Sequence, residues 1–127
     1  LESFLKPLVD AGVDAFHCSQ RRFWEPEFEG SDMNLAGWVK KLTGMPTITV
    51  GSVSLDQDFI SQTSEGDGAE SKPASIDRLL EMLDRGDFDL VAVGRALIAN
   101  PDWPKVVRSG DTLGLRAFSK DQLATLD

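Results

Sequence analysis

The sequence has very little of the chemistry that builds disulfides, metal centres and thiol-dependent active sites. Its 127 residues include one cysteine, Cys18, one histidine, His17, and no tyrosine. A single cysteine cannot form an internal disulfide and is typical of a reducing compartment. Zinc sites use several Cys and His ligands, so we expect no metal site. Cys18 has no partner set beyond His17 for thiol catalysis, and we expect no complete catalytic set in the chain.

Positive charge and long apolar runs are also scarce. The chain carries 13 Lys and Arg against 21 Asp and Glu, for a net charge of −8. That balance argues against nucleic acid as a partner, because phosphate backbones attract basic surfaces, and against anionic membranes. No run of ~20 apolar residues and no signal-peptide pattern is present, so we expect a soluble, cytoplasmic protein. An anionic cofactor is still compatible with this charge, because local arginines and backbone N–H groups decide such binding.

A helix, a glycine and a short strand recur three times along the chain. The helices have apolar residues at the spacing i, i+3, i+4, i+7: Leu1, Phe4, Leu5, Leu8; Leu35, Trp38, Val39, Leu42; and Ile76, Leu79, Leu80, Leu83. The glycines that would end them are Gly12, Gly44 and Gly86. Strands are predicted from Val13 to His17, Thr47 to Val50 and Asp89 to Val93. Strand starts about 34 and 42 residues apart are typical of βα units in a parallel sheet, so we predict an α/β fold with one domain over residues 1–127.

Two long connections follow the carboxyl ends of the first two strands, which is where functional loops lie in α/β folds. In the first, from Ser19 to Ser31, cations and aromatics between Arg21 and Phe28 predict either a lid over a substrate or packing against the sheet. The second, from Ser52 to Ala74, contains the polar stretch Ser61 to Ser71, which we interpret as a solvated loop. At the end of the first strand, His17 either faces a ligand or has a hydrogen-bonded structural role.

The stretch from Asp89 to Trp103 carries the clearest functional pattern. The apolar run from Leu90 to Val93 is expected of a parallel strand buried on both faces. It stops at Gly94 and Arg95, and a short helix follows. A glycine lets the backbone approach a ligand, an arginine adds a permanent charge with a planar set of donors, and a helix start offers unpaired N–H groups. Together these features predict a phosphate site at the carboxyl end of the strand.

The preceding strand ends in a similar way, at Gly51 and Ser52. Taken alone, a strand that ends in glycine is weak evidence for a ligand site and favours a tight turn. Two consecutive strands of this kind, together with Arg95, favour phosphate binding, because the last two βα loops of β/α barrels often form a phosphate site. The candidate cofactor-binding residues are therefore Gly51, Ser52, Gly94 and Arg95.

Two segments of the chain resemble parts of a known protein family. Residues 88–110, FDLVAVGRALIANPDWPKVVRSG, resemble the last strand and following helices of the Old Yellow Enzyme family, the FMN-dependent NAD(P)H:flavin oxidoreductases. Residues 17–53, HCSQRRFWEPEFEGSDMNLAGWVKKLTGMPTITVGSV, are similar to bacterial members over the sixth and seventh barrel units. The resemblance covers nearly the whole chain and implies the C-terminal part, about strands 6–8, of a (β/α)8 TIM barrel. Because the chain also opens inside a helical pattern without a Met, we expect a piece of a longer protein.

The same resemblance implies roles for the four candidate residues. Gly51 and Ser52 would bind the FMN phosphate from the seventh strand, and Gly94 and Arg95 from the eighth. FMN, with NAD(P)H as reductant, would reduce a small-molecule substrate such as an activated alkene.

Other roles would fall to residues elsewhere in the family's barrel. The loop with Phe23 and Trp24 would border the substrate. In the family, the residues that hold the isoalloxazine ring and protonate the substrate come mostly from the first five strands, so the chain alone is expected to be inactive. It is also expected to self-associate through its open strand edges.

Two alternatives stay open from the sequence. One is another phosphate-binding TIM-barrel enzyme, such as a different FMN-dependent dehydrogenase or an aldolase-like lyase. None of the three predicted strands ends in the lysine that a Schiff-base aldolase would need. The other alternative is a non-catalytic half-barrel that acts as a binding or assembly module.

Overall fold

Three parallel strands form the sheet of the first of two compact units in the computed structural model, which describes residues 1–58, 60 and 70–125. The first unit takes in Leu1–Gly51 and Asp77–Ala92, and the second takes in Ser52–Ile76 and Val93–Asp127. The predicted solvated loop over residues 61–71 lies outside the described residues, apart from Glu70 and Ser71. The assignment of residues 1–127 to one barrel-type domain stays a prediction.

The first unit alternates helices and strands, as the repeating pattern predicts. Its elements in chain order are α1 (Glu2–Asp10), β1 (Phe16–Ser19), α2 (Leu35–Thr43), β2 (Thr47–Val50), α3 (Asp77–Asp84) and β4 (Leu90–Val91). The strand order is β1-β2-β4, with both pairs parallel. All three predicted helices are confirmed, and the prediction of a parallel α/β sheet is confirmed for this unit.

Only one of the three predicted strands has the bounds that the sequence predicts. β2 has the predicted bounds, whereas β1 begins three residues later than expected. The N–H of Val13 is bonded to the oxygen of Leu8, at the end of α1, and the ladder with β2 starts only at Phe16, whose N–H donates to the oxygen of Pro46. β4 is shorter than predicted, although the N–H of Ala92 still donates to the oxygen of Thr49 at 2.9 Å.

One face of this sheet is packed and the other is exposed. Because side chains alternate along a strand, Leu90 and its register partners Ile48 and His17 share one face. The opposite face packs on the start of α2, where the amide of Asn34 donates to the Thr49 hydroxyl at 3.1 Å. Leu90 is 60% exposed. The prediction that this strand is buried on both faces is therefore wrong for Leu90, because β4 is an edge strand of the described sheet and this side chain points away from α2.

Helix α2 is fixed at both ends by the residues that the sequence places there. The fully buried Asn34 is its N-cap, accepting a hydrogen bond from the N–H of Gly37 at 2.9 Å and donating to the oxygen of Phe23 at 3.0 Å. At the other end Gly44 has φ +69°, a conformation that glycine adopts without a Cβ clash. The second unit then begins at Ser52, two residues after the end of β2.

The second unit contains shorter elements. They are β3 (Glu70–Ser71), α4 (Arg95–Ala99), α5 (Trp103–Ser109), β5 (Phe118–Ser119) and a 3-10 helix (Lys120–Leu123). β3 and β5 pair antiparallel, with Ser71 opposite Phe118. The Asn100 side chain connects α4 to the C-terminal segment, since its amide donates to the Arg116 oxygen at 3.0 Å and its oxygen accepts from the Arg116 N–H at 2.8 Å. This unit holds most of the predicted cofactor residues.

Candidate functional site

Arg95 and Ser52, two of the predicted phosphate-binding residues, lie together in the second unit. Nη2 of Arg95 is 3.3 Å from Oγ of Ser52, although the two residues are 43 positions apart in the chain. Gly94 immediately precedes Arg95 and is the N-cap of α4. The fourth predicted residue, Gly51, falls in the first unit. The fold of the second unit thus brings together a cation, a hydroxyl and an exposed glycine that the sequence predicts for the phosphate site.

The guanidinium of Arg95 is held by three oxygen atoms. Nη1 donates to the hydroxyl of Ser71 at 2.8 Å, and Nη2 donates to the backbone oxygen of Gln57 at 2.7 Å as well as to Ser52. The Ser52 hydroxyl in turn donates to the Gln57 oxygen at 3.1 Å. These contacts connect α4 to β3 and to the segment after β2, so the orientation of the guanidinium is set before any ligand binds.

Burial and neighbouring carboxylates have opposite effects on Arg95. Burial lowers the pKa of its guanidinium, while the charges of Asp58 and Asp56 raise that pKa. Asp58 is 1% exposed. Arginine is protonated across the physiological range, so the site keeps its cation. The nearby acids nevertheless offset part of the positive field that an incoming phosphate would meet.

Gly94 borders open space. It is exposed, and a Cβ added to it would meet no heavy atom within 4 Å in the described part of the chain. The fold of the second unit therefore gives no packing reason for a glycine at this position. Helix α4 has only five residues. Its dipole is correspondingly small, so the charge of Arg95 has to supply most of the attraction for an anion.

Gly51 has a different reason to be glycine. Its φ is +153°, and an added Cβ would lie 2.5 Å from the backbone oxygen of Gln20. Its own oxygen accepts a hydrogen bond from the N–H of Phe23 at 3.0 Å. Close approach of the loop after β1 thus accounts for this glycine, and its role toward a phosphate stays a prediction.

Sequence reasoning missed the backbone conformation at the start of the second unit. Ser52 and Ser54 have φ of +51° and +62°, the left-handed region that non-glycine residues seldom adopt. Both are buried, at 9% and 3% exposure. Residues held in such conformations cluster at functional sites. A serine carries no sequence signal for this conformation, whereas a glycine or asparagine would have.

Sequence reasoning also missed Ser71 and Gln57, which hold Arg95. The sequence predicts a solvated loop at Ser71, but this residue is fully buried in β3. The prediction is wrong at this residue because pairing with β5 covers it. Gln57 contributes a backbone oxygen, which any residue would supply, so no pattern of side chains could indicate it.

The loop after β1 packs with its aromatic residues. Phe23 is 3% exposed and makes an edge contact with Trp24, with ring centroids 5.1 Å apart. Phe28 contacts Trp38 in the same way at 5.3 Å. Of the two alternatives for this loop, packing holds for the buried Phe23, whereas Phe28 is 43% exposed despite its contact with Trp38. A lid over a substrate stays a prediction for Trp24.

The two residues at the end of the first strand differ in accessibility. His17 is exposed and Cys18 is buried. Burial raises the pKa of the Cys18 thiol to about 11, so the thiol is protonated at neutral pH. A protonated, buried thiol is a poor nucleophile.

The described part of the chain has neither a cluster of metal-ligating side chains nor a membrane-spanning helix. No group of three or more His, Cys, Asp or Glu there is arranged to hold a metal ion. No helix in that part of the chain has the length and hydropathy needed to cross a bilayer.

The chain is similar to known oxidoreductases. It is 34% identical over 113 residues to an NADH oxidase of Thermoanaerobacter brockii, a match that takes in 83% of this chain and 14% of that protein. Its fold is similar to the structure of the old yellow enzyme homologue from Zymomonas mobilis, with a TM-score of 0.60 and 17% sequence identity over 99% of this chain and 29% of that one. No protein-family model matches.

These similarities bear on the fold and on the resemblance found in the sequence. The α/β fold is that found in an Old Yellow Enzyme TIM barrel. The curated relative and the structural neighbour together support the resemblance to the Old Yellow Enzyme family. It spans less than a third of the length of either relative.

Proposed function

We propose that this chain forms the FMN phosphate-binding part of an NAD(P)H-dependent oxidoreductase of the ene-reductase type. In this proposal it corresponds to about strands 6–8 of a (β/α)8 barrel, and the other strands belong to a longer protein. The observation that carries the proposal is the Arg95–Ser52 contact of 3.3 Å beside the exposed Gly94. Similarity to a curated relative named an NADH oxidase supports it.

The donor set has the chemistry that a phosphate monoester requires. A guanidinium supplies charge and N–H donors, while the Ser52 hydroxyl, which donates to the Gln57 oxygen, would have to exchange that partner for the phosphate. The open space beside Gly94 leaves room for the phosphate to approach the backbone. Asp56 and Asp58 are the unfavourable part of the site, since they repel a dianion. On balance we expect the site to fit a phosphate, because Arg95 would contribute charge-assisted hydrogen bonds to it.

In the proposed mechanism the residues of this chain bind and orient the cofactor. FMN, when bound, supplies the hydride chemistry between NAD(P)H and an activated alkene. Arg95 and Ser52 would hold the phosphate, and Gly94 would let it approach the backbone of α4. Gly51 lies in the first unit, and its role toward a phosphate stays a prediction. A fixed phosphate would limit the positions open to the flavin ring, so binding would also orient the cofactor.

Purification of the full-length protein tests this proposal. We expect a yellow protein that releases FMN on denaturation and that oxidises NADH or NADPH with an enone as acceptor. A flavin-free protein that neither binds FMN nor turns over with an enone would contradict it. Flavin binding without enone reduction would instead favour another FMN-dependent barrel enzyme.

A second candidate is a binding or assembly module without catalysis. The observation in its favour is the exposed sheet face, on which Leu90 is 60% exposed. An exposed apolar side chain on an edge strand is expected to favour contact with another chain. In the main proposal the remaining strands of the barrel cover this face. A full-length protein that binds no flavin and in which this face contacts a partner chain would favour the second candidate.

A further inference from the structure

We propose that Ser71 is a positioning residue that orients the Arg95 guanidinium for a phosphate ligand. This inference rests on the proposed function, because it assigns Ser71 to the same site. Ser71 lies 24 positions before Arg95, in β3, and its hydroxyl accepts the hydrogen bond from Nη1 at 2.8 Å. Ser71 would act through Arg95, without touching the ligand itself.

The geometry at Ser71 is suited to this task because its hydroxyl is fixed and protected from water. Ser71 is fully buried, and so is Phe118, its partner in the antiparallel pair of β3 and β5. Removal of a buried hydroxyl costs free energy, because a water molecule does not readily take its place. Pairing of β3 with β5 fixes the backbone of Ser71, and this limits the positions that its hydroxyl oxygen can take.

The other contacts of Arg95 hold different parts of its guanidinium. The Gln57 backbone oxygen accepts from Nη2 at 2.7 Å, and the ring centroid of Phe118 lies 5.8 Å from Cζ. Ser71 holds Nη1, so the two terminal nitrogens are bonded to oxygens from separate segments. An arginine held in this way has less rotamer freedom to lose on binding a planar array of oxygens.

The contribution of Ser71 can be separated from a general effect on folding by comparing two flavins. FMN carries a phosphate and riboflavin does not, so the ratio of their affinities reports the phosphate contact alone. We expect Ser71→Ala in the full-length protein to weaken FMN binding by about tenfold and to leave riboflavin binding unchanged. A residue with a purely structural role would lower both affinities together.

Three variants complete the experiment. Ser71→Thr keeps a hydroxyl and is expected to restore most of the FMN preference. Ser71→Ala in an Arg95→Ala background is expected to have no further effect on that preference. Ser109→Ala, which removes the hydroxyl of an exposed serine in the same unit, is expected to change neither affinity.

Failure of this inference and failure of the proposed function give different results. If the wild type binds FMN and riboflavin equally, the phosphate site and the proposed function are both overturned. If the wild type prefers FMN and Arg95→Ala loses the preference while Ser71→Ala keeps it, only the inference about Ser71 is overturned. Should Ser71→Ala not fold, Ser71→Cys preserves the volume and carries the same expectation. If neither variant folds, Ser71 is a residue of the fold alone, which contradicts the inference.

Discussion

The hydroxyl of Ser71 and the guanidinium of Arg95 are joined by a 2.8 Å hydrogen bond that connects β3 to α4. Through it, a residue from a polar stretch of the chain fixes the cation of the candidate phosphate site. The bond also explains how a half-buried arginine is accommodated, since burial lowers the pKa of Arg95 and oxygens at hydrogen-bond distance compensate for lost water.

Substitutions of Gly94 are expected to affect ligand binding without affecting folding. A Cβ at this position meets no heavy atom within 4 Å in the described residues, so we expect Gly94→Ala to change the free energy of unfolding by less than about 1 kcal/mol. Gly94→Val should fold as well, but the full-length protein should be colourless after purification, because the side chain occupies the space of the phosphate. Thermal unfolding and the flavin absorbance measure the two effects. A folded, fully loaded Gly94→Val protein would show that Gly94 does not line the cofactor.

Gly51 is expected to behave in the opposite way. Gly51→Ala puts a Cβ 2.5 Å from the Gln20 oxygen, at a φ of +153°. We expect it to lower the free energy of unfolding by roughly 2–4 kcal/mol, from overpacking together with backbone strain. Gly12→Ala is the matched control, because φ is +92° there but no atom lies within 4 Å of the added Cβ in the described residues. Denaturant unfolding that gives equal losses for the two variants would mean that the close contact at Gly51 carries no energy.

Cys18 gives a pH dependence with a defined sign. Burial raises the pKa of its thiol from 9.0 to about 11 in the folded chain. The protonated form is therefore favoured by folding, and its contribution is fully present below pH 9 and is lost as the pH rises toward 11. We expect the unfolding free energy of the wild type, relative to that of Cys18→Ala, to fall by about 2 kcal/mol over this interval. A difference between the two proteins that does not change with pH would show that the thiol titrates normally.

The exposed face of the first sheet predicts self-association of the 127-residue chain. Leu90 is 60% exposed on an edge strand, and such edges pair readily with other chains. Sedimentation equilibrium of the isolated chain should show dimers or larger species at micromolar concentration. Leu90→Lys should shift this equilibrium toward the monomer, since a charge on an edge strand opposes pairing. A wild-type chain that stays monomeric at these concentrations would contradict this expectation.

The helices and the best-defined strand could be predicted from the sequence because local rules determine them. The i, i+3, i+4, i+7 spacing places α2, Gly44 ends it, and the run Thr47–Val50 is β2 at its predicted bounds. The ends of β1 and β4 could not be placed, because pairing with β2 decides where a ladder begins and stops. The exposure of Leu90 depends on which elements cover each face of the sheet. A run of apolar residues in the sequence does not indicate this.

The candidate site was predictable in part for a similar reason. Gly94 and Arg95 are marked by their own chemistry at a strand end, and Ser52 by its place after a glycine. Ser71 is different, because its burial comes from antiparallel pairing with Phe118, far along the chain. The left-handed backbone of Ser52 likewise follows from tertiary structure and leaves no mark in the residue type.

The most direct test of the account is the affinity of the full-length protein for FMN and riboflavin, before and after removal of the Arg95 guanidinium. We expect the wild type to prefer FMN and Arg95→Ala to lose about 10- to 100-fold in FMN affinity, with riboflavin affinity unchanged. Arg108→Ala, which removes the same charge from an exposed residue of α5, should leave both affinities as they are. Equal FMN affinities for the wild type and Arg95→Ala, by fluorescence titration, would contradict the assignment of this chain to the FMN phosphate site.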